Sequence, residues 1–117
     1  MTDAVIALFS YGTLQLAEVQ QGLCGRRLEG RPDALAGYRL APLAISDPAV
    51  VALSGLPVHA IARRTGDPAD RVAGLVLLVT AAELTAIDRY EVDVYARAEV
   101  DLVSGARAFV YVGPDLA

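Results

Sequence analysis

Two short stretches carry residues that could do chemistry. Phe9-Ser10-Tyr11-Gly12-Thr13-Leu14 follows an apolar run, Ala4 to Phe9, that reads as a buried strand, and precedes Leu16 to Gln21, which reads as a short helix. A turn is forced between them. Gly12 can take backbone conformations closed to other residues, so the turn can be tight and its amides left uncovered. If Thr13 or a neighbour opens the helix, its first N–H groups lack internal acceptors, and the helix dipole favours negative charge beside them. Such a place suits a carboxylate. The plain alternative is a strand-to-helix connection with Thr13 as its cap.

The second stretch centres on an acid. Thr80-Ala81-Ala82-Glu83 fits a capping box and starts a helix at Ala81 that runs through Leu84, Ile87 and Asp88 to about Glu91. Leu84 and Ile87 share a face, and the next position of that stripe is 91. An acid there either lies past the helix end in solvent or projects into the interior. In the interior, burial and the negative end of the helix dipole both disfavour the ionised form and raise the carboxyl from its usual value of about 4.3. A general acid and base needs a carboxyl poised nearer neutrality.

Other elements must hold these two stretches together. Gly22 and Gly25 close the first helix, with Cys24 a small apolar residue near that cap. A polar stretch, Arg26 to Asp33, leads to a strand at about 37–45. Residues 46–57 read as a loop or lid, with Asp47-Pro48 and Ser54-Gly55-Leu56-Pro57 around a small apolar centre. Val58 to Arg64 reads as a strand that turns at Thr65-Gly66-Asp67-Pro68 and forms a hairpin with the next. That next strand, Arg71 to Val79, is apolar almost throughout and is expected to be central and covered on both faces. Tyr95 to Val103 and Ala106 to Val112 form two strands joined at Ser104-Gly105. This order is not a regular alternation, so the class is α+β, a mixed, partly closed, barrel-like sheet flanked by two helices.

Composition narrows the function. The 117 residues are 55% hydrophobic and 21% charged, which fits one domain, residues 1–117, with a filled core. No apolar run approaches the roughly twenty residues of a membrane span, and neither a basic leader nor an apolar signal region precedes the first strand. A cytoplasmic protein with no membrane partner is the expectation. A net charge of −4 and a pI near 4.8 oppose binding to a phosphate backbone, so no nucleic-acid partner is expected. All ten basic residues are Arg, which removes Schiff-base chemistry and, with the abundant Ala, suggests a bacterial coding bias. One Cys and one His make no plausible zinc set. Ser54 and His59 lie near each other in sequence, but a hydrolase would need a third group and an oxyanion site around them. His59 is read as a strand residue or a pocket wall.

Tyr11-Gly12-Thr13-Leu14 after the first strand, and Ile87-Asp88-Arg89-Tyr90-Glu91 followed by Tyr95-Ala96-Arg97, closely resemble the gamma-glutamylcyclotransferase-like family. Gly37-Tyr38-Arg39-Leu40 and Val72-Ala73-Gly74 match further landmarks of it, so the resemblance spans nearly the whole chain. It implies a site in which Tyr11, Gly12, Thr13 and Leu14 cradle the glutamyl part of a substrate and Glu91 is the acid and base. It also implies that the substrate's alpha-amine attacks its own gamma-carbonyl, leaving 5-oxoproline and a free amine, with no cofactor and no metal. The substrate is then a small molecule bearing a carboxylate. Tyr95 and Arg97 are the other substrate-binding candidates. Arg39 and Arg97 could pair with that carboxylate, although ion pairs with Asp88, Asp93 or Glu99 are the commoner fate. The chain departs from the family at Leu77, where a Tyr is frequent, and over Asp47 to Leu56, both where the leaving part of a substrate would be recognised. The rival readings are a non-catalytic binding module on the same fold and an enzyme for a different amide.

Overall fold

The protein's structure, a computed structural model, describes residues 5–91 and 95–113. β1 (Ile6–Ser10) runs into a 3-10 turn (Thr13–Gln15) and then α1 (Ala17–Cys24). β2 (Gly30–Ala36) and β3 (Tyr38–Ala44) follow, then α2 (Pro48–Ser54), β4 (Val58–Arg64) and β5 (Arg71–Val79). α3 (Ala81–Tyr90), β6 (Ala96–Asp101) and β7 (Arg107–Val112) complete the chain. Five strands form one mixed sheet in the order β2-β5-β1-β7-β6, with β1 parallel to β7 and every other pairing antiparallel. β3 and β4 make a separate two-stranded ladder.

β1 lies at the middle of the large sheet, and its alternate side chains enter two cores. Leu8 packs with Leu77, Val79 and the buried faces of the helices, through Val19, Val50, Leu84 and Ile87. Phe9 points the other way, into a cluster with Leu35, Val72, Val110 and Leu102 that the sheet encloses by curling on itself. The curl brings the two ends of the sheet together without pairing β2 to β6. Val103 donates its backbone N–H to the Ala34 carbonyl at 2.9 Å, and Ser104 donates from its backbone N–H (3.2 Å) and hydroxyl (2.5 Å) to the Asp33 carboxylate. The expected α+β class and partly closed sheet are both present.

Several local expectations need correction. The segment read as a loop or lid contains a third helix, α2, capped by the Asp47 side chain accepting from the Ala49 N–H and closed by Gly55 in a left-handed conformation. Its β-branched centre is too short to show a helical period. β2 was hidden because Pro32 and its charged neighbours lie on an edge strand, where a missing donor is tolerated. β4 and β5 do not form a hairpin. Gly37, at φ +83, bends the chain between β2 and β3, so those two strands carry β5 and β4 respectively into different sheets. β5 is internal to the large sheet, but Leu78 on it remains exposed, so the cover is incomplete on one face.

Gly74 on β5 is fixed by packing. A Cβ there would fall 2.3 Å from the Ser10 carbonyl oxygen and 2.7 Å from Phe9 Cζ, contacts that no real side chain makes. The same Ser10 carbonyl accepts from the Gln15 amide at 2.8 Å, so the close approach of β5 to β1 also anchors the turn. Gly74→Ala is expected to lower stability by about 2 kcal/mol, the usual scale for overpacking a tight interior. Thermal melting checks this, and an unchanged midpoint would show that β1 yields freely.

Candidate active site

α3 begins with the capping box read from the sequence, Thr80 accepting from the Glu83 N–H and Glu83 accepting from the Thr80 N–H. Leu84, Ile87 and Tyr90 form its buried face. The helix ends at Tyr90, and Glu91 is the cap, its N–H still bonded to the Ile87 carbonyl at 3.0 Å while its backbone turns extended. Of the two readings of this acid, the interior one holds, from the first non-helical position. The residue as a whole keeps some exposed surface, while its carboxyl is surrounded by protein. Burial pushes that carboxyl up to about 7, and the negative charge of Asp88, one turn earlier, adds to the effect.

The pocket that Glu91 lines is small, an empty volume of about 380 Å³ counting its open mouth. Its opposite wall is the chain from Leu8 to Leu14, and His59, Ala60, Tyr95 and Tyr111 complete it. The structure therefore brings together Tyr11, Gly12, Thr13, Leu14, Glu91 and Tyr95. Arg97 is not in the wall. Its guanidinium donates to both oxygens of Asp88, at 3.1 and 2.8 Å, and lies over the Phe109 ring. Arg39 is paired with Asp70, and Glu99 with Arg107; Asp93 lies outside the described residues.

The turn differs in detail from its sequence reading. Thr13 is not a cap: its hydroxyl is 2.6 Å from the Tyr90 hydroxyl, tying the turn to the end of α3. Gly12 has φ −127, which asks for no glycine, and a Cβ on it would meet nothing within 4 Å. The space in front of it is open. The N–H groups of Gly12, Thr13 and Leu14 open the 3-10 turn and donate to no protein acceptor among the described residues. Buried Gln20 holds the turn from behind, donating to the Leu14 carbonyl and accepting from the Leu28 N–H, both at 2.9 Å. Nothing in the helical pattern marked Gln20 for that task.

Tyrosines surround the acid, and each phenol is engaged elsewhere. Tyr11 donates to the Tyr111 carbonyl at 2.5 Å and accepts from the Ala62 N–H at 2.9 Å, while Tyr95 donates to the Ala60 carbonyl at 2.7 Å. Tyr111 donates to Asp88. Burial raises the pKa of all of these and of Tyr90, with the Glu91 charge contributing, so they remain neutral donors. Their bonds stitch β4 to β1 and β7 around the pocket. Tyr90 and Tyr111 escaped sequence reading because each looks like a core residue of its own helix or strand. His59 is both a strand residue, on β4, and a pocket wall, the two roles read for it. Its Nε2 is 3.0 Å from the Ser54 hydroxyl, but no carboxylate among the described residues orients it, so the pair lacks the third group of a hydrolase. Leu77 is fully buried in the helix-side core, not at the mouth of the pocket as its departure from the family suggested.

A model of the gamma-glutamyl cyclotransferase, AIG2-like family matches residues 8–116. The chain belongs to that family. Solved structures share its fold. One titled gamma-glutamyl cyclotransferase is 16% identical, with a TM-score of 0.72 over 96% of this chain and 68% of its own. An Arabidopsis thaliana protein solved in solution is 22% identical, with a TM-score of 0.70 over 97% of this chain and 66% of its own. A Pyrococcus horikoshii protein is 19% identical, with a TM-score of 0.60 over 92% of this chain and 77% of its own. The chain thus spans about two thirds of the length of the first two. No curated protein matches it. Among the described residues no helix is long and apolar enough to cross a membrane.

Proposed function

We propose that the protein is a cyclotransferase for a gamma-glutamyl or related amide, with Glu91 as acid and base. The observation that carries this reading is a buried carboxyl poised at about 7 in the same small pocket as the free amides of the Gly12–Leu14 turn. No Arg side chain lines that pocket among the described residues, so these amides are the positive partial charges available to the substrate's alpha-carboxylate. With the carboxylate held there, the alpha-amine can fold back toward the gamma-carbonyl, and proximity supplies much of the rate. Glu91 takes a proton from the ammonium group. The freed amine attacks the gamma-carbonyl carbon, the new C–N bond closes a five-membered ring, and the old amide C–N bond breaks. The leaving nitrogen collects the proton held by Glu91, and the ring nitrogen releases its second proton to solvent. The products are 5-oxoproline and the free amine.

Incubation with a panel of gamma-glutamyl compounds, with 5-oxoproline as the readout, tests the proposal; release from none of them would overturn it. The reaction starts from ionised Glu91, so kcat/KM is expected to rise with pH through a midpoint near 7. Asp88→Asn removes the negative neighbour and frees the Arg97 cation, and both changes favour ionised Glu91. Its midpoint is expected to fall. A midpoint that stays in place would remove Asp88 from the tuning of the acid.

A further inference from the structure

We infer that the leaving half of the substrate is an uncharged, apolar amine, held in a groove that continues the acid pocket past His59. The inference rests on the cyclotransferase reading and names its substrate class. The groove shares the wall from Tyr11 to Thr13 and from His59 to Ala60 with the pocket that holds Glu91, so one extended ligand can occupy both. Its own additions are Gln15, Leu16, Leu56 and Val58. Leu16, Leu56 and Val58 are 36, 45 and 52% exposed, three of the chain's large exposed apolar side chains gathered on one rim. Single exposed apolar residues are ordinary, but a cluster bordering a reactive pocket is a surface made to be covered.

The charges decide what covers it. No Asp, Glu or Arg side chain among the described residues lines the groove, and its one titratable base is His59. The Gln15 amide is already donated to the Ser10 carbonyl. His59 is kept neutral, because burial pulls its imidazole below the ordinary range, and its Nε2 faces the Ser54 hydroxyl. An amine that carries its own carboxylate or a second ammonium group would lose water here and find no countercharge. An alkyl or aryl amine loses only unfavourable water contact. The shared wall places the scissile amide at the junction, with the glutamyl half toward Glu91 and the turn and the amine toward Leu56 and Val58.

The test is 5-oxoproline release from gamma-glutamyl amides of straight-chain primary amines, methyl to hexyl, beside the adduct of 6-aminohexanoate, which matches the hexyl compound in length but ends in a carboxylate. The expected result is a rise in kcat/KM of about threefold per added methylene, as partial burial of each CH₂ gives. The carboxylate-ended compound is expected at least about tenfold below the hexylamide, the scale of one desolvated charge only partly released to solvent. Val58→Asp is expected to flatten the rise with chain length. Equal or better turnover of the carboxylate-ended compound would overturn the apolar groove and leave the cyclotransferase reading standing. An absence of 5-oxoproline from every compound would overturn both.

Discussion

Glu91→Gln is expected to reduce turnover of any cyclised substrate by at least about a hundredfold, the usual scale for a lost general base. Gln keeps the size and much of the hydrogen bonding of Glu while removing the ionisable group, so the pocket should keep its shape. Binding is then expected to survive, and calorimetry on the variant with a gamma-glutamyl ligand would read it directly. The expectation depends on position as well as chemistry. Glu91 is the one acid in the pocket wall among the described residues, and the phenols around it are committed to the backbone or to Asp88 and raised by burial. None of them can take over the proton. Persistent cyclisation in the Gln variant would remove Glu91 from the mechanism.

The same variant has a stability signature of known sign. Burial raises the Glu91 carboxyl to about 7 in the folded chain, from 4.5. Below pH 4.5 the acid is protonated folded or unfolded and contributes no difference. Between 4.5 and 7 the unfolded chain releases its proton while the folded one keeps it, so stability falls as pH rises through that window. Above 7 the loss levels off at about 3 kcal/mol, taking 1.36 kcal/mol per pKa unit. Glu91→Gln removes this dependence. The variant is therefore expected to melt higher than the parent above pH 7 and to lose the difference toward pH 4.5, provided the amide keeps its contacts.

Much of this site was legible because its chemistry lies in local pattern. The capping box fixed where α3 starts, and counting from Leu84 and Ile87 placed an acid where an apolar residue was due. The strand before the turn was equally plain, since Leu8 and Phe9 enter different cores and both faces of β1 are apolar. What escaped was set by partners distant in sequence. Thr13 meets Tyr90, Tyr11 meets Ala62 and Tyr111, and Gln20 meets Leu14 and Leu28. A side chain so placed looks like any core or surface residue until the fold supplies its partner. Arg97 shows the reverse case, a residue that suits a carboxylate ligand and finds its carboxylate in Asp88.

Gly12→Val is expected to abolish ligand binding while leaving the fold intact, the opposite outcome to Gly74→Ala. At Gly74 a methyl group collides with backbone, whereas at Gly12 it meets nothing within 4 Å. The Gly12 φ is negative, −127, so the left-handed strain that reserves a position for glycine is absent there. The open space in front of Gly12 is the pocket and the groove beside it, both of which this residue lines. Val would occupy that space and stand before the turn's amides, where the alpha-carboxylate is proposed to sit. Affinity is expected to fall at least about a hundredfold, roughly 2.7 kcal/mol, while the melting midpoint moves by no more than a few degrees. The clean measurement is made in the Glu91→Gln background, where ligand is not consumed, by calorimetric titration with and without the second substitution. Unchanged affinity in the double variant would place the ligand away from the turn and refute the cradle.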